Sequence, residues 1–500
     1  MAESAERKLL AQTSHYSISS LFTLLGGLMT FPLLTRTLSV SDYGLMSLIG
    51  ATLSLSVALG KTGLQHAVVR YYSEVSTGKS PYSQAQLYTT TLVGMGGSGL
   101  CVLIMLMLGA QLVPMRWIQD PKVRGLLVIV AMLVLVQVLD SALTNLLRAA
   151  QRTTALMKYQ IAKKYLSLGC LFVGILLISR TLWAFYGATL LAEATALILL
   201  ARILFLADDR ARPHPDRFSR PLYRELLKFG LPMTFGYEVA GVILNVGDRY
   251  IIKAMNGGEQ VGQYAAAYNL CQYVQSVFIT SIGAAITPIY MKMHDEEGPQ
   301  KTSAFATRSL SNYILLAAPV IAGVASVGPA MLSSLASDRY AAAAGVFPWL
   351  IGGMVIDGAA SIVGAGLFIH RKTTVIMLAV VAAAVINLLC NLVLVRHFGM
   401  IGAAASTLIG YTVVYVTFAV GARRYVPVPV PWATLVRASL AAAVMYVVLS
   451  FIPPRHGFIT VGARAIAGLI IYCGVIAAID ANGRMFVKRG LQRLRAKLRR

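Results

Sequence analysis

Residues 124–147 read RGLLVIVAMLVLVQVLDSALTNLL, an apolar run with one arginine at its start and a single aspartate, Asp140, along its interior. A helix that spans a bilayer needs about 20 mostly apolar residues, and this stretch supplies them. A charge at that depth costs roughly 2.5 to 3.5 kcal/mol on insertion scales, so Asp140 marks either a cavity or a partner on another helix. Runs of the same kind recur near 15–35, 43–67, 85–112, 157–179, 182–205, 229–254, 262–290, 309–335, 342–368, 374–395, 399–421, 433–452 and 461–479. The sequence therefore predicts an all-α integral membrane protein of about fourteen transmembrane helices.

Composition excludes the alternatives. Hydrophobic residues make up 57% of the 500 and charged residues 13%, against about 25% charged in a soluble domain; the mean hydropathy is +0.68. A net charge of +24 suggests nucleic acid in a soluble protein, but no basic face on a soluble fold exists here to bind it. The polar first twenty residues do not read as a cleaved signal. Cys101, Cys170, Cys271, Cys390 and Cys473 stand singly in apolar segments, which suits packing rather than metal binding. No phosphate-cradling G-x-x-x-x-G-K-[ST] loop is present, so ATP is not the expected direct energy source, and no cofactor is expected.

The basic residues are distributed by topology. Arg7, Lys8, Arg148, Arg152, Lys158, Lys163, Lys164, Arg210, Arg224, Arg371, Lys372, Arg423 and Arg424 fall on the side of both termini, and the other side carries fewer, with a local exception around Trp117. By the positive-inside rule both termini face the cytoplasm. The organisation reads as a cytoplasmic N-terminal segment (1–14), a six-helix lobe (15–206), a charged linker with three prolines (207–228), a second six-helix lobe (229–424), an added helix pair (425–480) behind the stop VPVPVP, and a basic tail (481–500). In the tail, Val487, Leu491, Leu494 and Leu498 form one helical stripe among basic residues, an amphipathic helix for anionic lipid headgroups. The two lobes repeat weakly. Gly44 aligns with Gly262, Gln151-Arg152-Thr153-Thr154 with Arg371-Lys372-Thr373-Thr374, and Tyr186-Gly187-Ala188 with Ile401-Gly402-Ala403, in one order and at nearly one spacing.

The Tyr43-Gly44 turn, the stretch from Gly63-Leu64 to Arg70-Tyr71-Tyr72, and FGLPMTFGYEVAGVILNVGDRYIIKAMNGGEQVGQYAAAYNL (Phe229 to Leu270) resemble the polysaccharide transporter family. These are Wzx-type flippases within the superfamily that also holds multidrug extruders and lipid II flippases. The resemblance covers roughly residues 15–425. It implies two lobes around a central cavity open alternately to each side of a cell inner membrane. It also implies a cargo of undecaprenyl-pyrophosphate-linked oligosaccharide, with a polysaccharide polymerase and a chain-length regulator as partners.

A cavity for a sugar pyrophosphate needs cations for phosphate and amide, hydroxyl or aromatic groups for sugar. Lys61, Arg70 and Arg249 are the candidates for the first. Tyr237, Asn245, Tyr268, Asn269 and Gln272, with Tyr250 and Tyr273, are candidates for the second, or else the tyrosines form an interfacial belt. Asp140 and Asp357 sit at matching places in the two lobes and, with Asp248 and Glu238, are candidates for ion coupling or simply acids held by neighbours. The membrane-depth set also includes Glu193, and its acids outnumber its bases. That departs from the cationic lumen the resemblance implies. A multidrug-type antiporter is the alternative, yet such extruders are expected to carry an acid in the first helix, and Ser17 to Leu34 has none. A membrane enzyme is expected to show a long outward loop, which is absent.

The topology has a direct check: a reporter active only outside the cytoplasm, fused after Arg500, should give no signal, and a strong signal inverts the assignment.

Overall fold

Lipid offers the backbone no hydrogen-bond partner, so an apolar chain of this length folds into helices that satisfy themselves. A computed structural model describes residues 25–112, 121–207, 212–452, 457–479 and 484, and no strand occurs among them. The helices are α1 (25–37), α2 (Val40–Ser76), α3 (Gln84–Leu112), α4 (Lys122–Ala149), α5 (Thr153–Ile178), α6 (Leu182–Ala207), α7 (Arg220–Asn256), α8 (258–297), α9 (299–335), α10 (Asp338–Val363), α11 (373–398), α12 (400–422), α13 (Trp432–Ser450) and α14 (Phe458–Ile479). Gly298 (φ 80°) and Gly399 (φ 55°) break two long helical runs into the pairs α8–α9 and α11–α12. Among the described residues these fourteen long helices agree with the expected number, and a short helix, Ala365–Ile369, follows α10. The segment 1–14, the start of the first helix and the 481–500 tail apart from Arg484, with its lipid contact, lie outside the described residues.

Two compact units divide the chain, Met1–Gly247 and Asp248–Arg500. The break falls inside α7, further along than the lobe boundary read from the sequence. The linker is also shorter than expected, because α7 starts at Arg220. The Ser219 side chain caps it by accepting from the Leu222 amide, and Pro221 is compatible with a first turn. Leu222 and Leu226 are then fully buried beside Leu64, Val68, Leu87, Met95 and Val138 in the core of the first unit. In the second unit the last helix pair is built in rather than appended. Ala438, Ala441, Met445 and Leu449 are buried in one cluster with Leu315 of α9, whose carbonyl accepts from Tyr472 Oη at 2.9 Å. Outward-facing Leu177, Leu206, Leu440 and Ile470 are exposed, as lipid-facing side chains should be.

The internal repeat extends to backbone detail. Gln151 and Arg371 both take a left-handed conformation (φ 55° and 52°). The residues after them, Arg152 and Lys372, share φ near −80° and ψ 57°. Their amides make corresponding bonds, Arg152 N to Leu147 O at 3.0 Å and Lys372 N to Leu367 O at 2.9 Å. The same turn therefore links α4 to α5 and α10 to α11.

Helix α2 is broken at Thr62 (φ 48°) and Gly63 (φ 71°). At Gly63 the chain meets α7 backbone to backbone, so an added Cβ would lie 2.0 Å from Gly230 O. Small residues allow this approach, the usual device of membrane helix pairs. Gly63→Ala should destabilise the protein by about 2 kcal/mol or more, from the left-handed backbone and the collision together. Gly97→Ala, which meets open space, should be neutral. Thermal unfolding in detergent compares the two, and equal melting temperatures would refute the contact.

Candidate functional site: a mixed-charge cavity in the first unit

Five helices of the first unit depart from regularity or carry charge in their interiors, and their polar groups meet. The α2 break sets Lys61 on one side and Gln65 and His66 on the other. In α7, Pro232 removes an amide donor and the following turns, Thr234–Val239, widen into a π-helix, a feature common at functional sites. Glu238 lies in that widened stretch. It accepts from Gln65 Nε2 at 2.5 Å, and its Oε1 is 2.9 Å from His66 Nε2. Lys61 interacts with it electrostatically.

On the other wall, Asp140 of α4 accepts from Tyr159 Oη and pairs with Lys163 Nζ at 3.1 Å, both from α5. Tyr159 and Lys163 are one turn apart and so project from one face of their helix. Lys163 also lies 3.9 Å from Glu193 Oε2 of α6, while Glu193 Oε1 accepts from Gln137 Nε2 at 3.1 Å. Glu193 Oε2 and Glu238 Oε2 are buried with no hydrogen-bond partner among the described residues. These side chains, apart from Tyr159, line a cavity of about 590 Å³ together with Ser141, Thr144, Asn145 and Arg148. The Arg148 guanidinium donates to Asn145 Oδ1 at 3.1 Å. Neither Arg148 nor Lys61 is within salt-bridge distance of a described carboxylate.

Of the residues singled out by sequence, Lys61, Asp140, Glu193 and Glu238 come together here. Arg70 is exposed and stacks 4.8 Å from the Phe229 ring centroid, outside the lining. Tyr237 is exposed, and Asn245 donates to its own helix at Gly241 O, 2.7 Å away. In the second unit Asp248 and Arg249 are buried. Asp248 accepts from Tyr264, and Arg249 lies over the Tyr268 ring at 5.2 Å, with Tyr268 itself 1% exposed. Asn269 is half-buried and Gln272 exposed. Asp357 has Gln275 Nε2 at 3.4 Å.

The sequence reading missed Gln137, Tyr159 and Lys163. Lys163 reads in the sequence as one of the basic residues that set topology; in the structure it lies inside α5 with two acids around it. The signal that would have found it is the i, i+4 pair Tyr159 and Lys163, on the helix following the one that carries a lone aspartate.

Comparison with known proteins follows the same lines. The chain is 26% identical over 202 residues to an uncharacterized membrane protein of Methanocaldococcus jannaschii, covering 40% of this chain and 39% of that one. It is 22% identical over 186 residues to the probable low-salt glycan biosynthesis flippase of Haloferax volcanii, covering 36% and 39%. The matches thus span about two fifths of the length of these relatives. Among solved structures, the lipid II flippase MurJ in an inward closed conformation superposes with a TM-score of 0.76 at 14% identity, covering 93% of this chain and 98% of that one. An inward-facing multidrug resistance MATE family transporter superposes with 0.61 at 15% identity, covering 87% and 96%. These superpositions show the fold that the resemblance read from Tyr43 to Leu270 implies. Residues 9–294, more than half of the chain, match the polysaccharide biosynthesis protein family, and the chain belongs to that family.

Proposed function

We propose that the chain is an alternating-access flippase that moves an undecaprenyl-pyrophosphate-type lipid-linked oligosaccharide from the inner to the outer leaflet of a cytoplasmic membrane, for surface polysaccharide biosynthesis. The observation that carries this reading is the cavity: a charged, hydroxyl- and amide-lined chamber of about 590 Å³ walled by spanning helices. An apolar cargo has no use for such a lining, and an ion has no use for the volume. A phosphate headgroup uses the cations Lys61 and Arg148, the two not held by carboxylates, and a sugar uses Gln137, Ser141, Thr144 and Asn145. Membership of the polysaccharide biosynthesis family supports the reading, as do the glycan flippase of Haloferax volcanii and the lipid II flippase among the similar proteins. Both termini face the cytoplasm in this proposal, and a polymerase and a chain-length regulator receive the product.

Deletion of the gene tests the reading. Lipid-linked sugar should accumulate on the cytoplasmic leaflet, wild-type protein should clear it, and Lys61→Ala should clear it less well. Normal export combined with new drug sensitivity would instead favour a multidrug-type antiporter.

Coupling to an ion gradient is assigned to Asp140 and Asp357. Asp140→Asn should lower transport about tenfold, the equivalent of about 1.4 kcal/mol, and flatten its pH dependence at normal membrane levels, with Asp357→Asn acting in the same direction. Unchanged pH profiles in both single variants and the double variant would leave these acids as packing groups.

A further inference from the structure

We propose that Lys163 is a tethered counter-cation that leaves Asp140 and Glu193 for the phosphate of the entering headgroup, so that the carboxylate pair takes up a proton as cargo binds. The inference rests on the flippase reading of the same cavity. Its basis is an imbalance within the lining. Lys163 alone serves two acids, 3.1 Å from Asp140 and 3.9 Å from Glu193, and Glu193 Oε2 is buried without a hydrogen-bond partner among the described residues. With both acids ionised, the cluster of two carboxylates and one ammonium carries one net negative charge.

Every charged or hydrogen-bonding group facing that cluster bears on the outcome. From α4 come Gln137, Asp140 and Arg148, from α5 Tyr159 and Lys163, from α6 Glu193, from α2 Lys61 and His66, and from α7 Glu238. A phosphate entering this space is attracted by Lys61, Arg148 and Lys163 and repelled by the acids. Lys61 and Arg148 are already available. Lys163, a point charge on a flexible stem, is the cation that can change partner. Once it turns to the phosphate, two carboxylates that both lay within 4 Å of its ammonium are left without their shared cation, and like charges so placed favour the uptake of one proton. Tyr159 and Gln137 remain as donors to whichever carboxylate stays charged. The balance is one anion in, one ammonium displaced and one proton bound. When the headgroup leaves, Lys163 returns and the proton is released.

The experiment uses the full chain in lipid nanodiscs, with farnesyl pyrophosphate as a soluble headgroup probe. Binding and proton uptake are measured together by calorimetry in two buffers of different ionisation heat. Wild type should take up about one proton per probe bound, so its affinity should fall about tenfold per unit rise in pH where the pair titrates. Lys163→Met should bind more weakly and show neither the uptake nor the slope, because it has no cation to leave the acid pair when the probe arrives. Lys163→Arg should keep the uptake. Glu193→Gln, which preserves the Asp140–Lys163 pair, should lose it and serves as a second test should Lys163→Met fail to fold. His66→Gln should keep it, since His66 and Glu238 lie on the other wall.

Wild-type binding without proton uptake, or uptake retained in Lys163→Met or in Glu193→Gln, overturns this inference and leaves the flippase reading standing. Uptake lost only in His66→Gln overturns it as well. Failure of folded wild type to bind the probe at all overturns both.

Discussion

A buried carboxylate needs a donor or a cation brought to it by another part of the chain, and in the first unit Lys163 meets that need for two acids at once. Much of the local architecture serves this pairing. Helix α5 presents Tyr159 and Lys163 from one face toward Asp140 of α4 and Glu193 of α6. Across the cavity, the left-handed step at Thr62 and Gly63 and the π-helical stretch of α7 bring Gln65 and His66 to Glu238. Breaks of this kind cost backbone hydrogen bonds in lipid, and they persist where neighbouring polar groups and close helix packing compensate. Here the compensation is visible at Gly63 and Gly230, where the absence of two side chains allows the helices to touch.

The fold was legible because its signals are local. Long apolar runs bounded by basic residues, glycine or proline predict membrane helices whatever surrounds them, and fourteen were found where fourteen were expected. The internal repeat was legible for the same reason: it is carried by turns such as Gln151-Arg152 and Arg371-Lys372, whose backbone conformations match. The start of α7 was misplaced because charge and proline were read as linker, although Ser219-Arg220-Pro221 is also a competent helix start.

The site was less legible, because pairing between helices leaves no trace in linear order. Asp140, Glu193 and Glu238 stood out by their cost in a bilayer, but Lys163 sits among other basic residues and read as topology. The opposite error concerns Arg249 and Tyr268. They read as open ligands, yet they pack on one another beside Asp248, with Tyr264 completing a buried group. Matching positions in the repeat also do not ensure matching surroundings. Asp140 has a lysine and a tyrosine, whereas the contact recorded for Asp357 is a long one from Gln275. Turn geometry survives divergence of a repeat better than side-chain partners do, since a turn needs one conformation and an ion pair needs two residues to change together.

The mixed sign of the lining bears on transport itself. A carrier must bind its cargo well enough to admit it and weakly enough to release it, as conduction through a channel also requires. A lumen of unpaired lysines and arginines would hold a pyrophosphate tightly and give it up slowly. In this cavity three cations face three carboxylates, with His66 set against one of the acids. Each new contact a phosphate makes with Lys163 must therefore be exchanged for one that the lysine already has. Such an exchange changes little in total free energy between the empty and loaded states, which keeps binding reversible. It also makes the state of the acids depend on whether cargo is present. On the flippase reading, an acid-rich cavity is therefore no contradiction for an anionic cargo: the acids limit how firmly the cations hold it.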